Sequence, residues 1–224
     1  KTMPTPKPVF SLYVQLAVVL VAVYVVGLLQ DIPTVRLIAK PLVCVFLAFS
    51  AVTAPYSGEF GTGLALALLS SALGDFLLEY KQEFFLYGLG AFAVAHLLFA
   101  RAFATSYVKK SKTLKPPPVL FVVLSILAAI AVYCIWPSED VMQVAVVGYS
   151  LMIVLMASYA STDTTKTCIG AFLFMASDAL IGIRVFSPEL RDEVPLDKTQ
   201  YQLVVMALYW AGQFLLTSEF LVRH

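Results

Sequence analysis

The sequence has little charge. Lys, Arg, Asp and Glu make up 13% of the 224 residues, which is about half the share that is usual in a soluble globular domain. No stretch is long and polar enough to form a separate soluble domain or a disordered tail. Hydrophobic residues make up 60% of the chain, and the mean hydropathy is +0.87. The composition therefore excludes an ordinary soluble protein and indicates an integral membrane protein.

Residues that form disulfides and metal sites are also scarce. The three cysteines lie within or beside apolar segments and form no C-x-x-C pair, so neither a disulfide framework nor a zinc site is expected. Only one histidine, His96, lies inside an apolar segment, which disfavours metal-dependent hydrolysis. There is no G-x-S-x-G motif, no glycine-rich phosphate loop and no basic surface for nucleic acid. We therefore expect no metal, no cofactor and no nucleic-acid partner.

What the sequence does contain is a series of apolar runs of the length that crosses a bilayer, about 17–25 residues. Backbone groups in hydrocarbon need internal hydrogen-bond partners, so each run is predicted to be a helix. The first run is too long for a signal peptide and has no clear cleavage site, so we expect it to remain as a span. The sequence thus predicts an all-α fold, a single membrane domain over residues 1–224 with eight transmembrane helices at about 9–29, 35–54, 60–79, 84–105, 118–136, 141–160, 166–186 and 200–222.

The distribution of basic residues predicts the orientation of these helices. Eight spans put both termini on one side, and the loops after spans two, four and six join them there. This side carries the larger basic group, Lys1, Lys7, Lys109, Lys110, Lys112, Lys115, Lys166 and Arg223. The other side carries the smaller group, Arg36, Lys81, Arg184, Arg191 and Lys198, among several acids. Because cytoplasmic loops are enriched in Lys and Arg, the termini are predicted to be cytoplasmic.

Two aspartates lie inside apolar runs that do not need them. Asp75 is near the end of the third run, and Asp178 is in the seventh. An ionised carboxylate within a membrane costs roughly 2.5–3.5 kcal/mol even on insertion scales that assign a low cost, so such residues are usually functional. The pair suggests acid–base chemistry inside the bilayer.

Five further polar side chains lie within the spans: Lys40, His96, Tyr149, Tyr209 and Gln213. At a rise of 1.5 Å per residue, the lysine and both aspartates lie roughly 7–12 Å below one interface, with Tyr209 near the same level. The histidine and the glutamine lie nearer the midplane. A shared depth favours one buried cavity that opens to one side. Simpler explanations are that the lysine snorkels to the interface and that the others make ordinary contacts between helices.

A faint internal repeat relates the two halves of the chain. Residues 74–78, Gly-Asp-Phe-Leu-Leu, resemble residues 177–181, Ser-Asp-Ala-Leu-Ile, and residues 95–98 resemble residues 212–216. The matching spans are two and six, three and seven, and four and eight, so the repeat is parallel. Transporters often contain such repeats, which keeps a transporter as an alternative.

Five short motifs, in order along nearly the whole chain, resemble one known family. They are Lys40-Pro41, Gly74-Asp75 with Leu77-Leu78, residues 90–96 ending in His96, Ser177-Asp178-Ala179-Leu180, and residues 209–213 from Tyr209 to Gln213. This pattern is similar to the lysoplasmalogenase (YhhN-like) family of eight-span membrane proteins. The resemblance implies hydrolysis of the vinyl ether bond of lysoplasmalogens, which releases a fatty aldehyde and glycerophosphocholine or glycerophosphoethanolamine. It also implies residence in the endoplasmic reticulum membrane.

The reaction that the resemblance implies agrees with the buried carboxylates. A vinyl ether is cleaved by protonation of its β-carbon, which gives an oxocarbenium ion that water attacks. Such a reaction needs one carboxylic acid and a second carboxylate to stabilise the cation or deprotonate water, but no strong nucleophile. We expect Asp75 and Asp178 to share these roles, in an order that the sequence leaves open.

The other intramembrane polar residues are expected to support the two aspartates. Lys40 either tunes one carboxylate or meets the lipid phosphate, and His96, Tyr149, Tyr209 and Gln213 orient water and the headgroup of a lysophospholipid. Two other classes of function stay open. A proton-coupled or lipid transporter would use the same carboxylates as a relay, and a lipid-binding or scaffolding protein would not need them.

Overall fold

The computed structural model of the chain describes residues 8–54, 58–111 and 118–222. Within these ranges the regular structure is helical throughout, and the predicted all-α class is confirmed. The helices are α1 (Pro8–Leu29), α2 (Pro33–Thr53), α3 (Gly58–Tyr80), α4 (Phe85–Ser111), α5 (Pro118–Cys134), α6 (Asp140–Ala160), α7 (Thr165–Phe186), α8 (Pro188–Glu193) and α9 (Lys198–Val222), with a 3₁₀ turn at Gln82–Phe84.

Local signals in the sequence explain several of the helix starts. Pro33 and Pro188 occupy the first turns of α2 and α8, where a missing N–H costs nothing. At the start of α7, the Thr164 hydroxyl accepts from the Thr167 backbone N–H while the Thr167 hydroxyl accepts from the Thr164 N–H. This reciprocal cap satisfies two backbone donors that have no partner inside the helix.

Among the described residues, six segments are long and apolar enough to cross a membrane. They are Leu12–Leu29, Pro33–Thr53, Gly58–Tyr80, Gln82–Lys109, Asp140–Ala160 and Thr165–Phe186. Helix α5 is apolar but only 17 residues long, and α9 is not among the six. The chain is therefore an integral membrane protein, and the count of eight spans stays a prediction.

The bundle is held together by a continuous series of helix pairs. Helix α2 packs between α1 and α3, α3 packs along α4, α4 packs along α6, and α7 packs along α9, which also touches α2. The core is made of aliphatic and aromatic side chains such as Leu47, Leu64, Phe99 and Phe174, all fully buried. By contrast, α6 contacts α7 far less than α2 contacts α3. The predicted repeat is therefore not established by the packing.

Helices α7 and α9 approach each other closely at a pair of glycines. A Cβ atom on Gly212 of α9 would lie 2.9 Å from the Gly170 carbonyl oxygen of α7 and 3.0 Å from the Phe174 backbone nitrogen. The two backbones touch because neither glycine has a side chain, as in other tightly packed membrane helices. This contact sets the position of Asp178 on α7 relative to Tyr209 on α9.

Between α7 and α9, the structure differs from the plain connection that the sequence predicts. Residues 188–193 form the short helix α8, which begins at Pro188 and has an acid, Glu189, in its first turn. Of the basic residues that support a cytoplasmic side for the termini, Lys1, Lys7, Lys112, Lys115 and Arg223 lie outside the described residues.

Candidate active site

Asp75 lies in a small polar cluster between α2, α3 and α9. Its side chain is 1% exposed. The Tyr209 hydroxyl donates to its Oδ2 atom at 2.7 Å, and the Cys44 thiol donates to the same oxygen at 3.6 Å. The Lys40 ammonium lies 3.9 Å from Oδ1. Two other helices, α2 and α9, therefore supply donors to one buried carboxylate on α3, which is how a charge is made tolerable in a medium without water.

A chain of ion pairs joins this cluster to the surface of the bundle. Lys40 Nζ is 3.5 Å from Glu79 Oε2, Glu79 Oε1 accepts from Arg36 Nε at 3.0 Å, and Arg36 Nη1 donates to Asp31 at 2.9 Å. Exposure of these side chains rises steadily outward, from 8% at Lys40 through 13% and 18% to 89% at Asp31. The chain therefore runs from bulk water to Asp75 without a break larger than 3.9 Å.

Asp178 lies in a second cluster between α4, α6 and α7. The Tyr149 hydroxyl donates to Asp178 Oδ2 at 2.6 Å. His96 Nε2 lies 3.3 Å from the same oxygen and 2.9 Å from the Tyr149 hydroxyl. The Asp178 side chain is 13% exposed, whereas His96 is fully buried. The three groups thus form a closed triangle of hydrogen bonds.

Aromatic rings separate the two clusters. The Phe174 ring lies 4.8 Å from the ring of His96 and 5.2 Å from that of Tyr209, measured between centroids. Phe92 packs edge-on against Phe174 and Tyr209. Among the described side chains, no hydrogen bond links the Asp75 cluster to the Asp178 cluster. The two carboxylates therefore occupy neighbouring but distinct polar sites.

Some buried polar atoms near these clusters have no partner among the described residues. They are His96 Nδ1 and both polar atoms of the Gln213 amide, Oε1 and Nε2. Both side chains are fully buried. Buried polar groups are nearly always hydrogen-bonded, so unsatisfied atoms of this kind mark the place of a water molecule or a ligand.

The structure places most of the predicted site residues next to a carboxylate. Lys40 and Tyr209 contact Asp75, and His96 and Tyr149 contact Asp178. Gln213 contacts neither aspartate through a hydrogen bond. Lys40 turns inward to two carboxylates, so the simpler explanation that it snorkels to the interface is not what the geometry shows.

The single cavity expected around the two aspartates stays a prediction, and two other cavities are found in the described part of the chain. A groove of about 600 Å³ lies between α4 and α6, and a second cavity of about 270 Å³ lies between α5 and α6. Neither is lined by an aspartate. Around Asp75 the space is filled by Lys40, Cys44 and Tyr209, which contact it directly.

Sequence reasoning missed Glu79, Arg36 and Cys44. The spacing of charged residues could have indicated Glu79 and Arg36. Arg36 and Lys40 are four residues apart on α2, and Asp75 and Glu79 are four residues apart on α3. Residues at this spacing share one face of a helix. Two basic and two acidic residues on facing helices predict an interlocking set of ion pairs once the helices are known to be neighbours. Cys44 carries no such signal.

Comparisons with known proteins agree with this architecture. Residues 35–220 match the YhhN family. The lysoplasmalogenase TMEM86B of Sus scrofa is 32% identical over 71% of this chain and 64% of its own length. Its counterpart in Rattus norvegicus is 33% identical over 80% of this chain and 69% of its own. A lysoplasmalogenase of Mycobacterium bovis is 33% identical over 66% of this chain and 58% of its own length.

The matched region begins at residue 35 and ends at residue 220, so it contains every residue of the two clusters and of the ion-pair chain except Asp31. The chain spans roughly two thirds of the length of these relatives. No solved structure matches it. The family match covers well over half of the chain, and this protein belongs to the YhhN family.

Proposed function

We propose that this protein is a lysoplasmalogenase, which hydrolyses the vinyl ether bond of a lysoplasmalogen within the membrane. The observation that carries the proposal is the pair of buried aspartates, each held by a hydroxyl and a basic side chain. The names of its relatives give the substrate class.

In the first step, Asp75 acts as the acid. It transfers its proton to the β-carbon of the vinyl ether, and the electron pair of the carbon–carbon double bond forms the new C–H bond. The resulting oxocarbenium ion carries one positive charge next to the Asp75 carboxylate, which stabilises it. Tyr209 and Lys40 hold the carboxylate in place for this transfer.

In the second step, water attacks the cation and loses a proton to the Asp178 cluster. When His96 donates its Nε2–H to Asp178 or Tyr149, its Nδ1 atom is left as a buried acceptor without a protein partner. Nδ1 is therefore the atom that takes the proton of water, while Asp178 stabilises the imidazolium that forms. The hemiacetal then collapses to a fatty aldehyde and the glycerophospholipid alcohol. One water molecule is consumed.

Each turnover leaves Asp75 without its proton and the Asp178 cluster with an extra one. The rings of Phe92 and Phe174 separate the two, so the protons return through the solvent. The ion-pair chain supplies the Asp75 side: the Lys40 ammonium gives a proton to Asp75, and Glu79, which is near the surface, takes a proton from water and passes it to the neutral Lys40 amine. Glu79 is thus part of the proposed machinery.

The proposal includes the setting of the enzyme. We infer that all eight long helices span the membrane, with both termini cytoplasmic, and that the membrane is that of the endoplasmic reticulum. The apolar length of six segments and the basic residues Lys109 and Lys166 support this arrangement.

Isosteric Asn variants test the proposal. Purified Asp75→Asn and Asp178→Asn proteins are incubated with a lysoplasmalogen and with the matched ester lysolipid, and aldehyde is measured by mass spectrometry. We expect aldehyde release from the vinyl ether lipid to fall by about 10²–10⁴-fold in each variant. Asp140→Asn, which changes an exposed aspartate at the start of α6, is the matched control and retains full activity. Wild-type rates in both folded variants exclude the assignment.

A proton-coupled transporter is the second candidate, and one observation favours it. A chain of ion pairs from exposed Asp31 to buried Asp75 is also what a proton relay requires. A transporter moves lipid across liposomes without cleaving it. Intact vinyl ether lipid recovered after transport, with no aldehyde formed, selects this alternative.

A further inference from the structure

The larger cavity has the size and lining of a lipid site. It is a groove of about 600 Å³ between α4 and α6, within the range of about 300–1,000 Å³ that is usual for ligand pockets. Its walls are mostly aliphatic and include Leu97, Ala100, Ala104, Val108 and Leu155. Its polar lining is confined to four side chains, Arg101, Thr105, Lys109 and Tyr159. No acid is among the residues that line it.

Arg101 is the unusual member of this lining. It lies inside the apolar segment Gln82–Lys109, eight residues before Lys109, which places it about 12 Å deeper along the helix. Among the described side chains it has no ion-pair or hydrogen-bond partner. Its Cα–Cβ bond tilts toward the start of α4, away from the nearer interface, so reaching water requires the side chain to turn back. The Arg101 side chain is exposed at the surface of the bundle, and a guanidinium at this depth is stabilised by an anion.

Lys109 adds a second cation at the rim of the groove. Its ammonium is 3.9 Å from a Glu59 oxygen, but the two side chains are 70% and 87% exposed, so this pair contributes little. Arg101, Thr105 and Lys109 are four residues apart in turn and lie along one stripe of α4. The groove is therefore aliphatic along its length and positively charged toward one end.

None of the side chains of the two carboxylate clusters is among the residues that line the groove. Asp75 lies five residues before the end of α3 at Tyr80, and α4 begins nearby at Phe85. The groove occupies the second half of α4, from Leu97 onward, and so lies toward the opposite side of the bundle. A lipid held there is not positioned to reach Asp75.

We propose that this groove binds a phospholipid with a negatively charged headgroup, drawn from the leaflet at the C-terminal end of α4. The acyl chain lies against Leu97, Ala104 and Leu155, and the phosphate lies between Arg101 and Lys109. A zwitterionic headgroup would bring its own ammonium next to these two cations, and the acid beside Lys109, Glu59, is 87% exposed and already paired with it. The inference does not depend on the proposed hydrolase activity.

Native mass spectrometry with defined lipids tests the proposal. The full chain is released from nanodiscs that contain phosphatidylglycerol or phosphatidylcholine of identical acyl chains. The wild-type protein is expected to retain phosphatidylglycerol in preference, and Arg101→Gln is expected to weaken that retention by about tenfold, whereas Arg101→Lys keeps most of it. The matched control is Lys81→Gln, which removes an exposed cation near the other end of α4 and leaves retention unchanged.

A groove-filling variant separates the role of the cavity from that of the charge. Ala104→Phe keeps both cations but fills the aliphatic part of the groove, and it is expected to lose the bound lipid as well. If Ala104→Phe does not fold, the Arg101→Gln and Arg101→Lys pair decides alone. Unchanged retention in Arg101→Gln overturns the proposal, as does equal retention of the two headgroups by the wild-type protein. Displacement of the bound phospholipid by a lysoplasmalogen makes the groove a substrate site and also overturns it.

Discussion

Each buried aspartate is held by donors from two or more other helices, and the two sets of donors differ in chemistry. Asp75 faces an ammonium and a phenol, from Lys40 and Tyr209, whereas Asp178 faces a phenol and an imidazole. An ammonium exchanges protons with a neighbouring acid, and a neutral imidazole accepts a proton from water. These surroundings support the division of labour in which Asp75 gives a proton and the Asp178 cluster receives one.

The role of Glu79 gives a prediction about pH. Replacing Glu79 with Gln removes the acid that recharges Lys40, so turnover falls on the order of tenfold at neutral pH, less than the 10²–10⁴-fold loss expected for the acid itself. The loss shrinks as pH is lowered, because solvent then supplies protons more readily. The measurement is the pH–rate profile of aldehyde release for both proteins.

The control for this prediction is Glu83→Gln. Glu83 is an exposed acid near the same connection, and its ion-pair partner is Lys81 rather than Lys40. It is expected to leave the profile unchanged. A Glu79→Gln protein that loses the same fraction of activity at every pH has lost only a structural contact, and the proton route is then wrong.

For Gln213 we predict that one substitution raises the stability of the protein and lowers its activity. Its amide is buried with no partner among the described residues, and an unsatisfied buried polar group costs about 1–3 kcal/mol. Replacing Gln213 with Leu is therefore expected to raise the thermal midpoint in detergent while lowering the rate of aldehyde release. Gln143→Leu is the contrasting control, because the Gln143 amide donates to the Pro137 carbonyl and its loss lowers the midpoint.

If the midpoint of Gln213→Leu falls and its activity is retained, Gln213 has a structural partner and no part in the site.

At the scale of helices, the position of the site depends on how closely two backbones approach. Helices α7 and α9 touch at Gly170 and Gly212, and α7 carries Asp178 while α9 carries Tyr209. A change in the separation of these helices therefore moves a member of each cluster. The contact leaves no space for a methyl group.

Gly212→Ala is expected to be damaging for this reason. The added Cβ meets backbone atoms of α7 at 2.9–3.0 Å, and backbone cannot rotate away as a side chain does. We expect a loss of about 1–3 kcal/mol in stability, as for other overpacked sites, with reduced activity. Gly90→Ala on α4 is the control, because its Cβ meets nothing within 4 Å among the described residues.

Thermal midpoint and aldehyde release measured on both glycine variants check this prediction. Equal midpoints for Gly212→Ala and Gly90→Ala would mean that α7 and α9 have room to separate.

Helix boundaries are predictable from the sequence because they follow from the length of each apolar run and from the polar and proline-containing residues between the runs. The run 35–54 corresponds to α2 (Pro33–Thr53), and 166–186 corresponds to α7 (Thr165–Phe186). The sequence does not predict helix α8, since its six residues, Pro188–Glu193, include four charged ones and carry no apolar periodicity. Membrane spans are recognised by hydropathy, and that signal is absent from a short surface helix.

At the scale of the whole molecule, each carboxylate draws its partners from both halves of the chain. Asp75 on α3 is held by Lys40 from its own half and Tyr209 from the other. Asp178 on α7 is held by Tyr149 from its own half and His96 from the other. Neither half of the chain therefore completes a site alone.

The proposed membrane topology is tested by labelling with an impermeant thiol reagent. In a background of Cys134→Ser and Cys168→Ser, with Cys44 buried, a single cysteine is introduced at Lys81 or at Ser111, the two ends of α4. Sealed microsomes have their cytoplasmic side outward. The proposed orientation places Ser111 on the cytoplasmic side and Lys81 in the lumen, so we expect Ser111→Cys to be labelled and Lys81→Cys to be protected. Labelling of both from outside contradicts a membrane-spanning α4.

The candidate site was only partly predictable from the sequence. An aspartate in an apolar run is costly wherever it lies, so Asp75 and Asp178 are visible without a structure. Their separation into two clusters was not, because it depends on Phe92 and Phe174, whose aromatic side chains look like any other core residue in an apolar helix. In the sequence Glu79 only marks the end of a span, because its place in the ion-pair chain depends on how α3 packs against α2.

The thiol of Cys44 gives the molecule a built-in reporter. It is fully buried and donates to the carboxylate of Asp75 while lying 3.2 Å from the Tyr209 hydroxyl. The S–H stretching vibration lies in a region of the infrared spectrum where proteins absorb little else, and its frequency falls as the acceptor becomes more strongly charged. With the other two cysteines replaced by serine, one absorption band follows the proton of Asp75 inside the intact membrane, without a probe and without a substrate.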